Sequence, residues 1–192
     1  MITRPIGLAG HFCYNKGMNA RLRKAGVADV LGMQRLINGF AEREAMLPRA
    51  LHELYENLRD FFVVELADEI VGCAALHINW ANLAEVKSVA VDESCQRLGI
   101  GRLLIDACIE DARALGISTL FCLTYRPEFF GSLGFQVVDR HTLPRKVWSE
   151  CVRCAKFSNC TEIAMSRQVL DTAQPAPPDP LLSLAALPTH GR

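Results

Sequence analysis

The sequence has no surplus of either charge. Its 192 residues carry 21 Lys and Arg against 21 Asp and Glu, which removes the electrostatic case for nucleic acid or an anionic membrane surface as a partner. Nor does any apolar run approach the roughly twenty residues that span a bilayer. Near the N-terminus, Ile6-Gly7-Leu8-Ala9-Gly10 is too short and too broken by glycine for the core of a secretion signal. A cytoplasmic protein is the expectation.

What is present is half apolar in composition, enough for one good core in a single domain. Residues 1–19 show no periodicity and read as an irregular extension. Met18, just before the first patterned segment, is a possible alternative start. Residues 20–170 form the expected domain. Beyond Leu170 the composition turns to Gln174-Pro175-Ala176-Pro177-Pro178-Asp179-Pro180. Prolines deny both ladder bonds and helix continuation, so 171–192 is expected to be an extended, disordered tail.

Between these ends the pattern alternates. Residues 21–25 read as a short strand. Val30, Met33, Leu36, Ile37 and Phe40 recur at helical spacing after Asp29, and Leu51, Leu54, Tyr55 and Leu58 mark one face of a second helix after Pro48. Residues 61–66 and 70–78 make a hairpin around Asp68-Glu69. Residues 83–91 form the central strand, and a helix over 101–115 is closed by Gly116. A strand over 119–124, a short helix over 128–133, a strand starting at Gly134 and a last strand over 162–169 complete a mixed α/β sheet.

The central strand ends in Val89-Ala90-Val91-Asp92, and Gln96-Arg97-Leu98-Gly99-Ile100-Gly101-Arg102 follows. Glycines there let the backbone turn sharply and approach a ligand. The helix then opens with N–H groups lacking intrahelical acceptors, at the positive end of its dipole, which suits a phosphate or pyrophosphate. No Lys-Ser/Thr pair follows Gly101 and there is no third glycine, so neither the nucleoside-triphosphate loop nor the dinucleotide fingerprint is present.

This Gln-x-x-Gly-x-Gly after a central strand resembles the acetyl-CoA-binding motif of the GCN5-related N-acetyltransferases, and the resemblance covers roughly residues 21–167. It implies that family's fold, a mixed central sheet flanked by helices with a splayed central strand pair holding acetyl-CoA as co-substrate. The backbone of Gln96, Arg97, Leu98, Gly99, Ile100, Gly101 and Arg102 would form the cradle. Val89, Ala90 and Val91 would flank the acetyl and pantetheine. Three strings, 71–77, 83–91 and 121–124, further resemble the N-acetylglutamate synthases of arginine biosynthesis, in the short form without an amino-acid-kinase domain. The implied reaction is direct attack of the α-amino group of glutamate on acetyl-CoA, with another amino acid or a small amine as the rival acceptor and a non-catalytic acyl-CoA-binding regulatory module as the rival class. The implied partner is a small molecule, and a homodimer is allowed for.

In that resemblance Glu85 matches the catalytic glutamate, acting as base directly or through a water. The competing reading is a rim carboxylate beside Lys87, two positions on and on the same strand face, but a carboxylate at a strand centre facing a cleft is costly unless used. The family's usual acid, a tyrosine four residues before Gly-Phe, is here Phe130, which has no proton to donate. Thr124 and Tyr125 are the alternatives. Two carboxylates on the acceptor call for cations. Arg23 matches the family's carboxylate-binding arginine best, and Arg49, Lys87 with Ser88, and Arg126 are further candidates. His77 reads as either structural or catalytic.

Eight cysteines are many for a reducing compartment, but Cys13, Cys73, Cys95, Cys108 and Cys122 are scattered, mostly in apolar or periodic segments, and behave as small hydrophobes. Cys151, Cys154 and Cys160 cluster like half a zinc ribbon, with His141 the nearest fourth ligand. Without a second Cys-x-x-Cys, no metal is expected.

Overall fold

Val71-Gly72-Cys73-Ala74-Ala75-Leu76 is buried at every position. An unbroken apolar run of that length is what a strand covered on both faces requires. The computed structural model describes residues 12–13, 20–143 and 159–170. In chain order these form β1 (Phe12–Cys13), β2 (Ala20–Lys24), α1 (Val30–Ala41), α2 (Leu51–Glu56), β3 (Phe61–Leu66), β4 (Glu69–Trp80), β5 (Leu83–Val91), α3 (Ile100–Ala114), β6 (Thr119–Thr124), α4 (Pro127–Gly131), β7 (Gln136–Val137) and β8 (Ile163–Gln168). One mixed sheet runs β1-β2-β3-β4-β5-β6-β8-β7. Every pairing is antiparallel except β5 with β6.

The mixed α/β sheet expected from the sequence is present, with small differences. β4 extends beyond both expected ends. The turn before it places Ala67 and Asp68 at φ of +49° and +64°, the paired left-handed residues that match the twist of a two-residue hairpin. β1 lies inside the stretch that read as irregular and adds an edge to β2. Two residues are too few to show a period. On α2, Leu54 is buried, whereas Leu51 and Tyr55 are exposed. The single apolar face expected there is therefore narrower.

Apolar side chains pack on both faces of the sheet. α3 lays Leu104, Ile105, Cys108, Ile109 and Ala112 against Ala74, Leu76, Ala84 and Val86. α1 lays Val30, Met33 and Ile37 on the other face, against Val63, Cys73, Ala75 and Ala90. Cys73, Cys95, Cys108 and Cys122 are buried and unbridged. Burial pushes the Cys73 and Cys108 thiols up to about 12, which keeps them inert as packing groups. Cys160 is half-buried and unbridged. Cys151, Cys154, the side chain of Cys13 and the tail from residue 171 lie outside the described residues. Among the described residues no helix is long and apolar enough to cross a membrane.

Candidate active site

β5 and β6 run side by side only briefly. Their ladder pairs Leu83 with Thr119, Ala84 with Leu120 and Glu85 with Phe121, and stops there. β5 continues to Val91 and β6 to Thr124. From Ser88 to Val91 the edge of β5 that faces β6 has no strand partner among the described residues, so its peptide groups border the gap between the strands. That gap is the splayed pair expected from the sequence.

A second irregularity lies on the other edge of β5. Cys73 pairs with Ala90 and Ala75 with Lys87, so between these rungs the single residue Ala74 of β4 opposes two, Ser88 and Val89, on β5. This bulge falls at Ser88, whose φ is +53°. It reverses the facing of the strand. Before it, Ala84 and Val86 point to the α3 side; after it, Val89 and Val91 do, and Ala90 packs toward α1. A bulge at the rim of a cleft re-aims side chains in this way.

The cleft has a volume of about 670 Å³. It is lined by Glu85, Lys87, Ser88, Val89, Ala90 and Val91 of β5, and by Gln96, Arg97, Gly99, Gly101 and Arg102 of the loop and first helical turn. Thr124, Tyr125 and Arg126 line it at the end of β6, and Arg49 approaches from the loop before α2. Leu98 and Ile100, the other two members of the expected cradle, are not in the lining. Leu98 packs on the core and Ile100 is buried beneath it. They support the loop from below and offer the ligand only backbone.

The cradle fits an anionic ligand on its own geometry. Gly99 caps α3 at φ +87° with no side-chain cap, and a Cβ there would meet nothing within 4 Å. The first helix-type bond runs from Leu103 N–H to the Gly99 carbonyl at 3.0 Å. The N–H groups of Ile100, Gly101 and Arg102 thus precede any intrahelical acceptor, at the positive end of a 15-residue helix. Gln96 donates Nε2 to the Val91 carbonyl at 3.1 Å and so ties the loop to the strand end. Arg97 and Arg102 add positive charge at the mouth. These donors and cations suit a pyrophosphate.

Glu85 is half-buried at the last rung before the strands part. His77 stands directly opposite it on β4, with Nδ1 2.6 Å from Asp60 Oδ2. Thr124 is buried, and its Oγ1 accepts the Arg126 N–H at 2.9 Å, which leaves its hydroxyl proton for another acceptor. Phe130 stands where the resemblance leads one to expect a tyrosine. It is buried, with its ring edge-to-face against Phe129 and Phe135.

Arg23 is not at the cleft. It lies in a row with Val63, Cys73 and Ala90, three strand spacings or roughly 14 Å from β5. Its guanidinium grips Asp29 at 2.6 and 2.9 Å and Glu65 at 2.6 and 3.0 Å. The Asp29 hydrogen bonds, with Glu65 adding, raise Arg23 above its ordinary value against the opposing effect of burial. A guanidinium already saturated by two carboxylates has no fork left for a third. The expected carboxylate-binding role is thus corrected for Arg23, and of the candidates for that role Arg49, Lys87 and Arg126 line the cavity.

The lining also contains residues that the periodicity did not single out as site residues. Phe40, Met46 and Leu47 form an apolar wall next to Arg49, and Glu128, Phe129 and Glu162 close other sides. Phe40 reads as part of the core stripe of α1. Two apolar residues in a loop just before Pro48 are the only hint in the sequence.

The family model described as the acetyltransferase (GNAT) family matches residues 30–135. An uncharacterized N-acetyltransferase from Chlorobaculum tepidum is 35% identical over 144 residues, covering 75% of this chain and 93% of that protein. An amino-acid acetyltransferase from Mycobacterium tuberculosis is 34% identical over 135 residues, covering 69% of this chain and 77% of that one. Among solved structures, N-acetylglutamate synthase from Neisseria gonorrhoeae, complexed with coenzyme A and N-acetyl-glutamate, superposes with a TM-score of 0.72 at 27% identity. It covers 79% of this chain and 35% of its own, so this chain spans about a third of that synthase. The matched segment contains the strand parting at Glu85, the glycine turn and α3, and on these grounds the chain belongs to the acetyltransferase (GNAT) family.

Proposed function

We propose that this acetyltransferase moves acetyl from acetyl-CoA to the α-amino group of an amino acid, with L-glutamate the best acceptor, as the first step of arginine biosynthesis. The unit that does so is residues 20–170, acting in the cytoplasm. The observation that carries this reading is one cavity that brings together Glu85, the phosphate-type cradle, and the cations Arg49 and Lys87. The names of the Mycobacterium tuberculosis relative and of the Neisseria gonorrhoeae synthase support an amino-acid acceptor.

When bound, acetyl-CoA supplies a thioester whose carbonyl accepts the amine and whose thiolate departs. The N–H groups at the start of α3, with Arg97 and Arg102, hold the pyrophosphate. The strand edge from Ser88 to Val91 offers its peptide groups to an extended chain lying in the gap. Glu85 takes the ammonium proton, directly or through a water, so that a free amine is presented for attack. Thr124 or Tyr125 donates a hydroxyl proton toward the sulfur. Arg49 and Lys87 meet the two carboxylates of the acceptor, and the wall of Phe40, Met46 and Leu47 covers its methylenes.

Release of free CoA across a panel of amino acids and small amines tests the reading. Glutamate is expected to rank first. Glutamine keeps the shape but lacks one charge, and should fall behind by about tenfold or more, the scale of one charge-assisted contact. Aspartate keeps both charges at the wrong separation. A neutral or basic amine turned over much faster than glutamate would refute the acceptor assignment and leave the family intact.

A further inference from the structure

The backbone of Arg49 is held by two side chains of α1. Arg49 N–H donates to Asn38 Oδ1 at 2.9 Å, and Asn38 Nδ2 donates back to the Arg49 carbonyl at 3.2 Å. Gln34, one helical turn earlier on the same stripe, donates Nε2 to that same carbonyl at 3.2 Å. A carboxamide that answers both peptide groups of one residue copies the pairing between strands, here inside a helix-to-helix loop. All three bonds are part-buried. On the far side, Ala50 N–H donates to Glu53 Oε2 at 2.9 Å in the first turn of α2. Residue 49 is therefore fixed from both directions, while the loop before it contains a left-handed Glu44 at φ +59°.

An arginine has many rotatable bonds, and the position of its Cα sets the region that its charge can reach. A fixed backbone removes part of the ordering cost that ligand binding would otherwise carry. Asn38 and Gln34 are not in the lining of the cavity, whereas Arg49 is. We propose that Asn38, assisted by Gln34, is a positioning residue that sets the Arg49 guanidinium for an acceptor carboxylate. Asn38 thereby determines acceptor affinity without touching the acceptor. This rests on the assignment of Arg49 to the acceptor site made above.

The test is steady-state kinetics of N38A, R49A and N38A/R49A, varying glutamate and acetyl-CoA separately. N38A should raise the glutamate KM about tenfold, while kcat and the acetyl-CoA KM change less than about threefold. Because Asn38 acts through Arg49, the double variant should be no worse than R49A alone, a non-additivity that a general loss of fold would not produce. If R49A raises the glutamate KM and N38A does not, or if the two effects add, the positioning role is wrong and the acceptor assignment stands. If R49A leaves the glutamate KM unchanged, the assignment of Arg49 fails and the proposal with it. Should N38A not fold, N38D carries the same test. It keeps an oxygen for the Arg49 N–H but turns a carboxylate toward the Arg49 carbonyl. A selective rise in glutamate KM then supports the proposal, and an unchanged value overturns it.

Discussion

Gly101 and Phe129 occupy one another's space: a Cβ at position 101 would lie 3.1 Å from Phe129 Cζ and 3.2 Å from Cε2. A side chain in the first turn of α3 would thus press on the aromatic ring of α4, which would have to give way. On the sequence alone, a bulky residue at 101 would be expected to spare the fold and weaken only acetyl-CoA binding. The packing changes that expectation. Gly101→Val should push Phe129 aside and lower stability by about 1–3 kcal/mol, the usual cost of overpacking. Acetyl-CoA affinity should fall as well. Because Phe129 packs on the core and edge-to-face with Phe130, Phe129→Ala costs stability of its own, so the double variant should lose less than the sum of the two single changes, without recovering affinity. Denaturant unfolding and calorimetric titration separate the two effects. A Gly101→Val variant as stable as the parent would contradict the packing argument.

Glu85 sits where the β5–β6 ladder ends, and its partner rungs are His77 and Phe121. Glu85→Gln preserves shape and removes the base. Turnover should drop by roughly two to four powers of ten, with little change in acetyl-CoA affinity. Rapid-quench turnover alongside calorimetry reads both quantities. Turnover within a few-fold of the parent at neutral pH would mean that the amine loses its proton elsewhere.

The Arg23–Asp29–Glu65 triad predicts an acid sensitivity. The Arg23 hydrogen bonds hold the Asp29 carboxyl below its ordinary range, with the Gly26 N–H contributing and burial opposing. A carboxyl lowered in the folded state stabilises it above the unfolded value of about 3.9, and that contribution is lost as pH falls through the folded pKa. Asp29 is 9% exposed and Arg23 27%, so solvent screening is modest. Asp29→Asn should cost about 2 kcal/mol at neutral pH. Its Tm should also decline less steeply than the parent's below about pH 4. Parallel slopes for the two proteins would show that other carboxylates govern acid unfolding.

Much of the architecture is legible from local pattern. The apolar period placed α1 within one residue, and the apolar runs at 83–91 and 119–124 coincide with β5 and β6. The glycine pair after a strand marked the cradle, and of the two only Gly99, at φ +87°, meets a need of the backbone itself. These signals are local: a helix or strand half-buried against one core must repeat its apolar residues at its own period.

Contacts between elements were not legible in that way. Arg23 and Arg49 are the same residue type, yet one is gripped by Asp29 and Glu65 away from the cleft and the other lines the cavity. Distance along the sheet decides between them, and that is set by strand order. The bulge at Ser88 carries no residue signature, since a serine is not the residue a left-handed φ ordinarily selects. It arises from the register that β4 imposes on β5. The hold of Asn38 on Arg49 joins positions eleven residues apart, across a loop with no period to read. The sequence by itself determined most of the elements and the phosphate-type turn, because each follows from short-range backbone and burial requirements, and its motif strings carried the resemblance to the family. Which cations and carboxylates meet in the cleft was decided by tertiary structure alone, because charge pairing depends on through-space distances that only the assembled sheet defines.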